Sequence, residues 1–182
     1  LDIRAASTAT LDMGGFNLTK IGANQISLTG VAVSNPGNIT VNEGLFSVET
    51  STTLGGSAAN NLSVNNASLQ IYGLTNAPAW PLNLNNSTMR IANGATNSWA
   101  GPVTLAGANI IEVTATNVAH AFNGVISGAG SLNKIGTGPL TLNAANTYTG
   151  NTVVTAGTLK LGAGGSIATS PLIDLKAGTT FD

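Results

Sequence analysis

Residues 128–162 read GAGSLNKIGTGPLTLNAANTYTGNTVVTAGTLKLG. Three short apolar alternations, Leu140-Thr141-Leu142, Val153-Val154 and Leu159-Lys160-Leu161, are cut off from one another by Gly, Asn and Thr. None is long enough for a helix. Period-two alternation broken by turn residues at such close spacing predicts short strands that turn repeatedly.

Working outward, one ten-residue device recurs: Ile39 to Val48, Leu62 to Ile71, Leu82 to Ile91 and Thr152 to Leu161. Looser copies run from Val103 to Val113 and from Ile173 to Asp182, with a degenerate one from Ile3 to Met13. Each reads as strand, corner, strand, and each corner holds a small residue such as Gly44, Ala67, Ser87, Gly157 or Gly178, as a sharp backbone turn requires. Copies start about 20 to 25 residues apart, or about twice that where one has eroded, which is solenoid spacing. A longer repeat places Lys20-Ile21-Gly22 over Lys134-Ile135-Gly136 and Gly55 to Ser57 over Gly164 to Ser166. A third periodicity is aromatic-x-Gly, at Trp99, Phe122 and Tyr148, each expected to pack a corner ahead of a new strand.

Stacked in register, these devices predict columns. Val41, Val64, Leu84, Leu105, Val154 and Leu175 form one inward column; Phe46, Leu69, Met89 and Leu159 form a second. Ser47, Gln70, Arg90, Glu112 and Lys160 point outward, with Arg90 beside Glu112 at the strand spacing of about 4.8 Å. Asn42, Asn65 and Asn85 are expected to stack as an amide ladder along the axis.

The order Gly-x-Gly-Ser-Leu-x-Lys-x-Gly, Leu-Thr-Leu, Asn-Thr-Tyr-Thr-Gly, then Val-x-Ala-Gly-Thr-Leu-x-Leu within 128–162 resembles the autotransporter-associated β-strand repeat of passenger regions in bacterial surface proteins. Pro139 and Asn143-Ala144-Ala145 depart from that pattern, and residues 14–57 read as a worn copy of it. The resemblance implies a right-handed β-helix, secretion across a Gram-negative envelope, and an extracellular or outer-surface location. The family's translocating β-barrel is missing from this chain.

The fold expected is therefore all-β: one single-stranded parallel β-helix over residues 1–182, of about eight coils of 20–25 residues. Apolar residues reach 42%, too many for a disordered chain, while charged residues make up 7% with a net charge of −1. So neutral a chain has neither the basic footprint of a nucleic-acid binder nor an acidic tail. Roughly a third of it is Asn, Ser or Thr, so its polarity is uncharged. The absence of Cys excludes disulfides and thiolate metal sites. No initiator Met, signal peptide or membrane-length apolar span occurs, which reads as a mature or excised segment. Both ends fall within strand devices and lack caps, so more chain or neighbouring molecules are expected to complete them.

Catalytic chemistry finds no foothold. Glycoside hydrolysis needs two carboxylates about 5 to 9.5 Å apart, whereas Asp2, Asp12, Glu43, Glu49, Glu112, Asp174 and Asp182 are spread along the chain, mostly outward. His120, between Ala119 and Ala121, is the single histidine and reads as a surface or corner residue. The Gly clusters at 128–130 and 162–165 lack the helix that a phosphate cradle needs. Asn-x-Ser/Thr matches at Asn17, Asn38, Asn61 and Asn66 arise by chance in such a composition. No catalytic, cofactor or metal residues are assigned. Trp80 and Trp99 are expected to cover corners; the rival reading makes them a stacking platform for glycans.

These observations predict a non-catalytic structural segment of a bacterial surface protein: a rod, stalk, fibre or adhesive surface built by coil stacking and self-association, end to end or lateral. The alternative is a carbohydrate-binding adhesin module using exposed aromatics and Asn-rich corners, with glycans or other cell-surface components as partners. Neither nucleic acid nor a membrane span is expected.

Overall fold

The computed structural model describes residues 1–4, 9–56, 59–92, 97–114, 116 and 120–182. Every described pairing between its strands is parallel, and no helix occurs among them. Side chains that alternate in and out over two to six residues can bury only one face, so the chain turns and lays each strand on its equivalent one coil away. The result is a three-sided solenoid.

Side I is a nine-stranded sheet: Asp2–Arg4, Gln25–Thr29, Leu45–Glu49, Ser68–Tyr72, Thr88–Ala92, Ala108–Val113, Ser131–Ile135, Thr152–Val154 and Ile173–Leu175. Side II has six strands: Leu18–Lys20, Ile39–Val41, Leu62–Asn65, Leu82–Asn85, Val103–Ala106 and Ile126–Gly128. Side III is closed early by Thr10–Asp12, Ala32–Ser34 and Thr53–Leu54. Later it is closed by Ser98–Trp99, His120–Phe122, Leu140–Leu142, Thr158–Leu161 and Thr180–Phe181. Each coil visits II, then I, then III. Along side I the register advances in eight steps of 20 to 25 residues, from Asp2↔Ser27 to Val154↔Leu175. At one strand spacing per step the rod is about 38 Å long.

The expected core rows are largely present, with a shift. Val41, Val64, Leu84 and Leu105 do form one buried column on side II, and Phe46, Leu69 and Met89 one on side I. Val154 and Leu175 belong to the second of these, because the side I column continues through Ile111, Lys134, Val154 and Leu175. Leu159 stands on side III between Leu140 and Phe181's strand, and outward Lys160 is on side III beside Thr141. The cause is that 39–48, 62–71 and 82–91 turn from side II to side I, whereas 152–161 turns from side I to side III. One strand-corner-strand device serves two different corners.

The aromatic-x-Gly series shifts in the same way. Trp99 and Phe122 pair on side III, but Tyr148 lies against side II, where Thr147 and Thr149 donate backbone N–H groups to Ile126 and Gly128. All three rings are buried at corners. Gly124 needs to be Gly because an added Cβ would sit 2.1 Å from the Gly101 carbonyl oxygen. Ser57 of the Gly-Gly-Ser match, residues 5–8 of the copy at 3–13, and Ala119 beside His120 lie outside the described residues.

Candidate functional site

Polar side chains in this rod point along its axis. Asn38 N–H donates to Asn17 Oδ1 at 2.8 Å and Asn61 N–H to Asn38 Oδ1 at 3.0 Å, tying three coils at the entry to side II. The Asn-x-Ser/Thr matches at Asn17, Asn38 and Asn61 are thus a structural ladder, and their spacing of 21 and 23 residues was the signal that could have shown it. The ladder expected at the II-to-I corner forms one step, Asn65 Nδ2 to Asn42 Oδ1 at 3.0 Å. Asn85 shares that register but accepts from Asn86 instead, at 3.3 Å. Buried Asn97, Asn109 and Asn146 accept the N–H groups of Leu74, Ser87 and Ile126, each 20 to 23 residues away.

Trp80 and Trp99 are buried, and their indoles donate to the Gly55 carbonyl at 2.7 Å and the Trp80 carbonyl at 2.9 Å. They cover corners, as expected, and present no stacking face to a glycan. A shallow groove of about 520 Å³ runs along the II-to-I corner over Ala23, Gly44, Ala67 and Asn86, with the Arg90–Glu112 pair at one end. That pair is the predicted outward neighbour contact, at 3.2 Å.

The side chain that sequence reasoning did not place is Lys134. It is fully buried in the apolar column of side I. Its ammonium donates to the carbonyls of Ile135 at 2.9 Å and Gly136 at 2.7 Å, and across the coil boundary to Ala156 at 3.1 Å. Three donors meet three acceptors, so the charge is enclosed without an anion. Burial pushes its pKa down to about 8, which leaves it protonated at neutral pH. Lys20 repeats the arrangement at another corner, donating to Ile21, Gly22 and Glu43 carbonyls from side II. The shared Lys-Ile-Gly supplies the same geometry twice: a left-handed Gly bends the chain so that its carbonyl faces back to the ammonium.

His120 is buried rather than at the surface. It stands in the side III column with Leu140 and Leu159, and neither ring nitrogen has a hydrogen-bond partner among the described residues, although the nearby Asn97 backbone favours the protonated ring. Burial first, and then the charge of Lys134, pushes its pKa down.

Each acid has a partner of its own. Glu43 accepts the Gly22 N–H, Glu49 the Thr29 hydroxyl, and Asp12 the Gly14 N–H and Asn35 amide. Asp2, Glu112, Asp174 and Asp182 pair with Arg4, Arg90, Lys176 and Lys160. Among the described residues no three His, Asp or Glu side chains converge as a metal-binding group would.

Residues 132–161 match the family model of the passenger-associated transport repeat. That span holds the Lys134 clasp, the side III strand Leu140–Leu142, Tyr148 and the corner from Thr152 to Leu161. The chain is also similar to the adhesin BmaC autotransporter of Brucella suis biovar 1 (strain 1330), at 38% identity over 92 residues, which are 50% of this chain and 3% of that protein. No solved structure matches. The chain therefore carries an autotransporter passenger repeat within a β-solenoid of about eight turns.

Proposed function

We propose that this chain is a non-catalytic structural segment of a Gram-negative surface protein: a rod that sets distance and presents neutral faces for adhesion and self-association. One observation carries the reading: amides, hydroxyls, two indoles and two ammonium groups, the groups from which a site would be built, are engaged in bonds from one coil to the next. The similarity to an autotransporter adhesin supports the surface location. Self-association is favoured by low charge, because two such rods meet with little repulsion.

Pulling the two termini apart by single-molecule force spectroscopy tests the rod. Coils of 20 to 25 residues that contact only their neighbours should release one at a time, each adding about 70 to 85 Å of contour at roughly 3.4 Å per residue. A single rupture of the whole chain would contradict a coil-by-coil rod.

A further inference from the structure

We propose that His120 makes the middle of the rod an acid-sensitive joint, which opens locally on side III when the imidazole takes a proton.

The ring lies in an apolar column, fully buried, and both nitrogens lack partners among the described residues. A neutral imidazole in that place forgoes one donor and one acceptor; a protonated one is a buried charge whose one favourable neighbour is the Asn97 backbone, too little to offset burial. Its column neighbours, Asn97, Leu140 and Leu159, cannot ionise, nor can Trp99 and Phe122 in the adjacent row. The charged group that acts on it is Lys134, a like charge that is itself fixed to three carbonyls. No carboxylate faces it, since all seven have partners elsewhere. The undescribed residues nearby in the chain, Ala115, Asn117, Val118 and Ala119, carry no ionisable side chain. A proton on His120 therefore finds repulsion and no counter-ion.

The sign follows from linkage. With its folded pKa below the ordinary value of about 6.5, the native ring binds fewer protons than the unfolded one, so stability is retained above about pH 6.5 and lost as pH falls below it. The loss is confined to strands that close over the ring: Ser98–Trp99, His120–Phe122 and Leu140–Leu142. Strands Gln25–Thr29 and Leu45–Glu49 lie two or more coils from the coil of Ser98–Trp99 and keep their protection.

The test is hydrogen–deuterium exchange of the whole chain at pH 7.4 and 5.0, corrected for intrinsic exchange, in wild type and His120→Leu. Wild type should lose protection about tenfold or more in the three side III strands at pH 5.0, with 25–29 and 45–49 unchanged, and His120→Leu should show no such loss. Equal wild-type protection at both pH values, or the same loss in His120→Leu, would overturn the proposal. Should the variant fail to fold, the ring can be read directly in wild type, because it is the only histidine. An NMR titration midpoint well below 6.5 is expected, and one at or above it overturns the idea.

Discussion

Replacing Lys134 by Met keeps the length of the buried stem and removes only the ammonium. Hydrophobic replacement of buried ion pairs is often neutral or stabilising, because both costly charges leave together. Here the partners are backbone carbonyls of Ile135, Gly136 and Ala156, and they remain when the charge goes. Each orphaned carbonyl costs about 1 to 3 kcal/mol, and a hydrogen bond to a charged group is worth about 1.5 to 3. Against this stands the relief of desolvating an ammonium, the same effect that lowers its pKa. Local relaxation and water entry soften the loss further, so we expect a net destabilisation of about 2 to 4 kcal/mol. Urea unfolding followed by circular dichroism at pH 7 would read it as a lower midpoint at unchanged slope. A Lys134→Met protein as stable as wild type would refute the claim that this ammonium clasps two coils. Lys20→Met is the internal comparison: it should weaken the first coils by a similar mechanism.

Other expectations follow from single contacts. Gly124→Ala drives a Cβ into the Gly101 carbonyl and should cost about 2 kcal/mol or more in thermal unfolding; an unchanged midpoint would mean that the corner is looser than described. Trp99→Phe loses the bond to the Trp80 carbonyl and part of a buried ring, about 1 to 3 kcal/mol by urea titration, while glycan binding, if any is found, should be indifferent to the indole itself. Asn38→Ala leaves the Asn61 N–H without its acceptor and should raise amide exchange at Asn61 with a cost of about 1 kcal/mol. A double-mutant cycle on Arg90 and Glu112 should give a coupling below about 1 kcal/mol that fades with salt, because the pair is partly exposed.

The class of fold was legible because period-two alternation and small-residue corners are local signals, and strands so short have no other way to bury a face. Residue-level columns were legible only where consecutive devices occupy the same corner, from Val41 to Leu105. Every corner of a three-sided coil demands the same things: a compact turn, an inward apolar residue before it and another after. A half-coil alignment therefore cannot tell which corner it occupies, and Val154 and Leu159 were placed one side out. Lys134 illustrates a second limit. Its burial depends on the Ala156 carbonyl of the next coil, 22 residues away, although the repeated Lys-Ile-Gly marked both clasps as equivalent. His120 gave no such signal: alanine on either side fits a corner as well as a core, and its neighbours come from other coils.

The register itself is the most direct thing to measure, and the absence of native cysteine makes it accessible. Outward Asn133 and Val153 are Cα partners on side I, whereas a repeat alignment that kept every device on one corner would continue the side II row of Thr104 and Ser127 and set Val153 next to Ser127. Neighbouring parallel strands bring Cα atoms within disulfide range. Oxidised Asn133→Cys/Val153→Cys should cross-link in high yield within the monomer, and Ser127→Cys/Val153→Cys should stay reduced. The opposite pattern would contradict the solenoid register on which the whole account rests.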